Sequence, residues 1–233
     1  TDLGKLSNTQ LVNVLKHPNK WHRQTAQRIL GDRRDKSIVP RLTSLMLKGK
    51  GQFALECFWA INNCNGFTPN LAQQTLGHSH PFIRFWTIRF LGDSHMMNTE
   101  ILSKLLDLAA NEPHPEVRSC LAASCKRWNA KDSFQILEQL IRRNEDTKDK
   151  HIPLLIWWAI ENKAAGNVDE VVKLLEDKSI WKSPMMREHL LERIARRYTA
   201  EPTNSNLKVA GTLLSLAPTE KDCNVLLGAC MLP

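Results

Sequence analysis

His80-Pro81-Phe82-Ile83-Arg84-Phe85-Trp86-Thr87-Ile88-Arg89-Phe90-Leu91-Gly92-Asp93 reads as one complete helix with its own punctuation. Pro81 sits where a first helical turn tolerates a missing N–H, and Gly92 sits where a helix is expected to stop. Ile83, Thr87, Phe90 and Leu91 recur at helical spacing and give the segment an apolar face. The pattern repeats. His114-Pro115-Glu116-Val117-Arg118 restates the opening 34 residues later, and Ser183-Pro184-Met185-Met186-Arg187 restates it after a further 69. Upstream, Arg28-Ile29-Leu30-Gly31-Asp32 matches Arg89-Phe90-Leu91-Gly92-Asp93 at a separation of 61. Each gap is one or two multiples of a unit of about 30–35 residues, the size of a helical-hairpin repeat.

The flanking chain reads the same way. A short first helix carries Leu11, Val12 and Leu15, and a second, over 19–30, turns Trp21, Ala26, Ile29 and Leu30 inward. Asp35 is a cap for a third helix, Lys48-Gly49-Lys50-Gly51 a turn, and a fourth helix holds Phe53, Leu55, Phe58, Trp59 and Ile61. Further helices are expected over 71–76, around Leu105, from Pro115, around Leu137, and over 149–165, 168–175, 184–197, 207–216 and 220–232. The segment 149–165 is the most apolar and is expected to be buried on most sides. No segment alternates with a period of two between hairpin turns, so no sheet is expected. The loops are short, and 1–233 reads as one continuous domain.

Aligning the repeated helices on Arg84, Arg118 and Arg187 assigns the core. The residue before the arginine is Ile83, Val117 or Met186; three residues after it stands Thr87, Leu121 or Leu190; seven after it, Leu91, Cys125 or Ile194. A cation in a first helical turn faces unpaired N–H groups and the positive helix end, which is unfavourable without another purpose. One purpose is an inter-repeat ladder, with each guanidinium bonded to carbonyls or a carboxylate of the adjacent repeat, such as Asp93 or Asp32. The other is a row of arginines that binds phosphate.

Composition narrows the function classes. The chain of 233 residues is 42% hydrophobic and 24% charged, with no apolar run long enough to span a membrane. It opens on Thr1-Asp2-Leu3-Gly4-Lys5 and reads as a fragment of a larger protein. The net charge of +8 permits an acidic partner without requiring one. Of the six cysteines, Cys57/Cys64 and Cys223/Cys230 are each seven apart, too far along a straight helix for a bridge. With no Cys-x-x-Cys, buried thiols packing a core are expected.

The repeat unit resembles HEAT-type repeats, in which the second helix opens with a turn, a proline, an apolar residue and an arginine. Two strings are more specific: His17-Pro18-Asn19-Lys20-Trp21-His22-Arg23-Gln24-Thr25-Ala26, and Ile152-Pro153-Leu154-Leu155-Ile156-Trp157-Trp158-Ala159-Ile160-Glu161. With the His80 stretch they are similar to the HEAT region of the PVC-type membrane-bound dehydrogenase-like proteins of planctomycetes and their relatives. In that family a propeller resembling sugar dehydrogenases precedes the helical region, and a c-type cytochrome with Cys-x-x-Cys-His follows it. This chain holds neither, so the resemblance implies a middle, non-catalytic spacer or docking domain. It also implies an exported parent. The expected fold is all-α: a right-handed α-solenoid of six to seven HEAT-like hairpins.

The candidate binding surface, or ladder, comprises Arg23, Arg84, Phe85, Trp86, Arg118, Trp157, Trp158 and Arg187. Trp beside Arg suits stacking on bases or sugars, the chemistry of a nucleic-acid-binding solenoid such as the HEAT-like alkylpurine DNA glycosylases. Against that enzyme, no carboxylate stands out beside a Trp–Arg cluster, though Asp149 and Glu161 bracket the Trp pair. His78 and His80 flank Ser79 as a weak metal candidate, and the histidines at helix starts (His17, His80, His114, His151) can cap or turn. No Ser-His-Asp pattern, phosphate loop or paired-carboxylate motif is visible. The expectation is therefore an interaction module with no catalytic, metal or cofactor residues and no small-molecule substrate. Its partner is a protein or a neighbouring domain, with nucleic acid as the alternative.

Overall fold

The structure, a computed structural model, describes residues 2–231, so the expected end of the last helix at Leu232 lies outside the described residues. Fourteen α-helices are present among them, and no strand. They form two compact units, Thr1–Leu91 and Gly92–Pro233.

The first unit holds α1 (Asn8–Val14), α2 (Lys20–Arg33), α3 (Val39–Lys48), α4 (Gly51–Asn63), α5 (Pro69–Leu76) and most of α6 (Pro81–Asp93). Local chemistry sets where each begins. Ser7 and Gln10 form a reciprocal capping box on α1, Asn19 accepts from Trp21 N at 2.8 Å, and Thr68 caps α5. Pro40, Pro69 and Pro81 occupy first-turn positions, where the missing N–H costs nothing. Asp35 caps a single 3₁₀ turn, Lys36–Ile38, that leads into α3. α1 packs on α2, α3 on α4, and α2 on α4. The core between them gathers Leu11, Leu15, Leu30, Leu42, Phe58 and Ile61.

The second unit holds α7 (Thr99–Asn111), α8 (Pro115–Ser124), α9 (Ala130–Ile141), α10 (Ile152–Ala164), α11 (Val168–Glu176), α12 (Leu191–Thr199), α13 (Asn204–Leu216) and α14 (Glu220–Met231). Odd helices stack on odd, α7 on α9 on α11 on α13, and even on even, α8 on α10 on α12 on α14. That two-layer order is what a repeated hairpin produces when it buries its apolar faces on its neighbours. Polar side chains tie successive hairpins by reaching back to the previous helix end. Lys163 Nζ donates to Trp128 O at 2.7 Å, Tyr198 Oη to Ala164 O at 2.9 Å, and Ser183 Oγ to Ile141 O at 2.5 Å.

All nine aligned core positions, from Ile83 to Ile194, are buried. Four readings need correction. Gly92 lies inside α6 and does not stop it; a Cβ there would come within 2.7 Å of the Arg127 guanidinium. Gly31, its aligned counterpart, sits inside α2, where a Cβ would meet Asn63 Cβ at 3.2 Å. The glycine of the Leu-Gly-Asp motif serves close approach of the following repeat. The chain turns instead at Arg34, Asn65 and His95, whose φ angles are 50°, 54° and 53°.

Trp21, read as inward, is 60% exposed at the second position of α2. α10 is buried on one broad face only: Trp157 is inside, while Leu154 and Trp158 are exposed. Finally, the segment over 184–197 is not one regular helix, since Met186–Leu190 forms a π-turn before α12.

Candidate functional site

The repeated arginines share one geometry. Arg23 Nη1 donates to His17 O at 2.9 Å and Pro18 O at 2.8 Å; Arg84 Nη1 to His78 O at 2.7 Å and Ser79 O at 3.2 Å. Arg118 Nη1 reaches Glu112 O at 2.9 Å, and Arg187 Nε reaches Trp181 O at 2.6 Å. In all four the guanidinium folds back over the loop that opens its own helix, six residues upstream.

Arg23, Arg118 and Arg187 also hold a carboxylate of the next hairpin. Arg23 Nε pairs with Glu56 at 2.8 Å, Arg118 with both oxygens of Asp146 at 2.6 and 2.5 Å, and Arg187 with Asp222 at 2.7 Å. Asp32 and Asp93, the carboxylates expected from sequence, lie elsewhere: Asp32 is 3.9 Å from Arg28 and Asp93 3.5 Å from Arg127. The true acceptors left one legible signal. Glu56 is the single carboxylate between Asp35 and Asp93, set in the apolar run Ala54-Leu55-Glu56-Cys57-Phe58.

Histidines at helix starts act as acceptors. Nδ1 of His17 takes Asn19 N at 3.0 Å, that of His78 takes His80 N at 3.0 Å, and that of His80 takes Phe82 N at 3.2 Å. Burial, with His80 and Arg84 close by, lowers the pKa of His78, which favours the neutral ring over the charged one. Among the described residues no group of three metal-ligating side chains converges. His151 does not cap its helix; Asp149 does, accepting from His151 N and Ile152 N.

The aromatic residues gather mainly in the first unit. Trp59 and Trp86 meet edge to face with centroids 5.3 Å apart, Trp86 lies 5.5 Å from Phe90, and Phe85 is 5.8 Å from Trp86. Trp59, Trp86 and Phe90 border a cavity of about 340 Å³ on the even-helix face, completed by Gln27, Asn62 and Asn63. A second cavity, of about 400 Å³, adjoins it through Gln27 and Trp59 and is lined further by Lys20, Arg23, Gln24, Gln52 and Glu56. At its floor Glu56, only 3% exposed, is fully engaged: Arg23 and Gln52 bond Oε1, and Gln27 bonds Oε2. The Trp59 indole N–H is buried there without an acceptor. Sequence reasoning missed Gln27, Gln52, Asn62 and Asn63, because amides leave no periodic mark. The structure thus joins Arg23 and Trp86 to one face of the first unit, with Phe85 against the Trp86 ring, buries Arg118 and Trp157 in the second, and leaves Trp158 on its surface.

The chain is a helical-repeat protein. No protein-family model matches it, and no curated protein does. Among solved structures, a designed armadillo repeat protein in complex with the peptide (KR)4 is similar over 99% of this chain and 100% of its own, at 18% identity and a TM-score of 0.30. A superposition that loose adds nothing to the assignment, which rests on the helix packing itself. No helix among the described residues is long and apolar enough to cross a membrane.

Proposed function

We propose that this chain is a non-catalytic interaction module that binds another protein or a neighbouring domain of its own polypeptide. The observation that carries the reading is the face of α2, α4 and α6, where two adjoining cavities are lined by aromatic rings and side-chain amides. An amide offers a donor and an acceptor together, as a peptide group requires, and the Trp59–Trp86 edge offers apolar contact. A phosphate-binding row needs free guanidinium forks, whereas Arg23, Arg118 and Arg187 each spend donors on a carboxylate and on loop carbonyls. The nucleic-acid reading is the weaker for it. The finer proposal, that this is the helical spacer of a PVC-type dehydrogenase-like parent, is supported by the sequence strings around Arg23 and Trp157-Trp158.

A photo-crosslinking residue in place of Phe85, in the protein expressed in its native host, tests the reading. The expected product is a covalent adduct with a polypeptide. Adducts with nucleic acid, or release of bases from alkylated DNA by the purified chain, would refute it.

A further inference from the structure

The chain's charge is divided unevenly between its two units. Residues 1–91 hold thirteen lysines and arginines against four aspartates and glutamates, a net of +9; residues 92–233 hold nineteen against twenty, a net of −1. The four acids of the first unit all have local partners. Asp2 accepts from Gly4 N, Asp32 lies near Arg28, Asp35 takes Asn8 and Ser37 N, and Glu56 is sealed by Arg23 and Gln52.

Part of this excess is concentrated where hairpins turn. Lys16 and Lys20 flank the α1–α2 connection, and Lys48 and Lys50 flank the α3–α4 connection; all four are exposed, with no ion-pair partner among the described residues. Lys16 Nζ stands 4.7 Å from the Phe53 ring centroid, which brings the first connection against the start of α4. Between the connections opens the 400 Å³ cavity, with Lys20, Gln24 and Gln52 among its lining. Trp21, 60% exposed, follows Lys20 directly, and Phe82 occupies the aligned place in α6, 39% exposed.

We infer that this loop edge of the first unit docks an extended segment of a partner protein rich in glutamate and aspartate. The inference rests on the interaction-module reading and names the partner's chemistry. Ammonium groups attract carboxylates without demanding the bidentate geometry that guanidinium supplies to phosphate. Glutamine side chains pair with the N–H and C=O of a peptide backbone, and the exposed rings give a side chain an apolar shelf. The Glu56 carboxylate at the cavity floor disfavours a phosphodiester, which carries a charge on every residue, more than a peptide that can place a neutral residue there.

The test uses the full chain and a fluorescein-labelled peptide of alternating glutamate and glycine, followed by anisotropy. Its comparators are the matching lysine–glycine peptide and an oligothymidylate of equal charge. The acidic peptide should bind, weaken as salt rises, and lose at least about tenfold in affinity in the double variant Lys20→Glu/Lys50→Glu. The double variant Lys148→Glu/Lys150→Glu, in the second unit, should stay within about twofold, with both variants melting like the parent. Equal losses from the two variants, tighter binding of the oligothymidylate, or no binding of the acidic peptide would each overturn the inference. If it falls while Phe85 still cross-links to a polypeptide, the interaction reading stands without it; if that cross-link is also missing, both fall.

Discussion

Arg118 and Asp146 are both buried, and their paired bonds at 2.6 and 2.5 Å leave neither charge alone. Truncation would strand Asp146, so Arg118→Ala should cost about 3–5 kcal/mol, a large share of a domain's stability. Arg28→Ala breaks only an exposed contact of 3.9 Å to Asp32 and should cost no more than about 0.5 kcal/mol. Urea denaturation of the two variants measures the difference, and near-equal midpoints would contradict the role assigned to the buried arginine. The cysteines divide in the same manner. Burial pushes the Cys57 thiol up to about 12, and Cys64, Cys120 and Cys125 are buried too, whereas Cys223 and Cys230 are partly exposed. Near pH 8 a disulfide reagent should therefore titrate Cys223 and Cys230 in the native chain and the other four only after unfolding. Rapid modification of Cys57 in the native state would argue against this packing.

At the scale of elements, the repeated helix was legible because its core positions obey the helical period, and that period survives changes of residue from Ile83 to Met186. Its ending was not. A glycine near a helix end reads as a stop, yet Gly92 and Gly31 are small because another segment passes close to them, a tertiary fact that a linear sequence does not contain. The stop falls on Arg34, held at φ 50°, where a side chain costs free energy that glycine does not incur. Arg34→Gly should stabilise the chain by about 1 kcal/mol, seen as a higher urea midpoint with an unchanged slope. A lower midpoint would mean that the Arg34 side chain contributes more than its backbone strain costs. The same limit applied to α10, where an almost unbroken apolar run suggested burial on most sides. Hydrophobicity alone did not say that Trp157 would face the neighbouring helices and Trp158 the solvent.

For the whole molecule, the uneven charge has a measurable consequence within each unit. The net +9 of the first unit repels itself, and raising salt from about 0.01 to about 0.1 M shortens the screening length from about 30 to about 10 Å. Hydrogen exchange in α1 to α5 should slow over that range. In α7 to α14, where ion pairs such as Arg196–Glu192 are screened instead, it should hold or quicken. A uniform response along the chain would show that the asymmetry has no energetic weight. The sequence by itself determined the helices, their pairing into hairpins and the nine aligned core positions, because periodicity and capping are local and each is written in neighbouring residues. Only the tertiary structure decided which carboxylates receive the arginines, which tryptophans stay at the surface, and that Glu56, Gln27 and Gln52 close over one another. Those choices join residues about thirty positions apart in sequence. In His80–Asp93 the sequence could show a helix built to stack, and the fold alone could show that its Trp86 edge borders an open face.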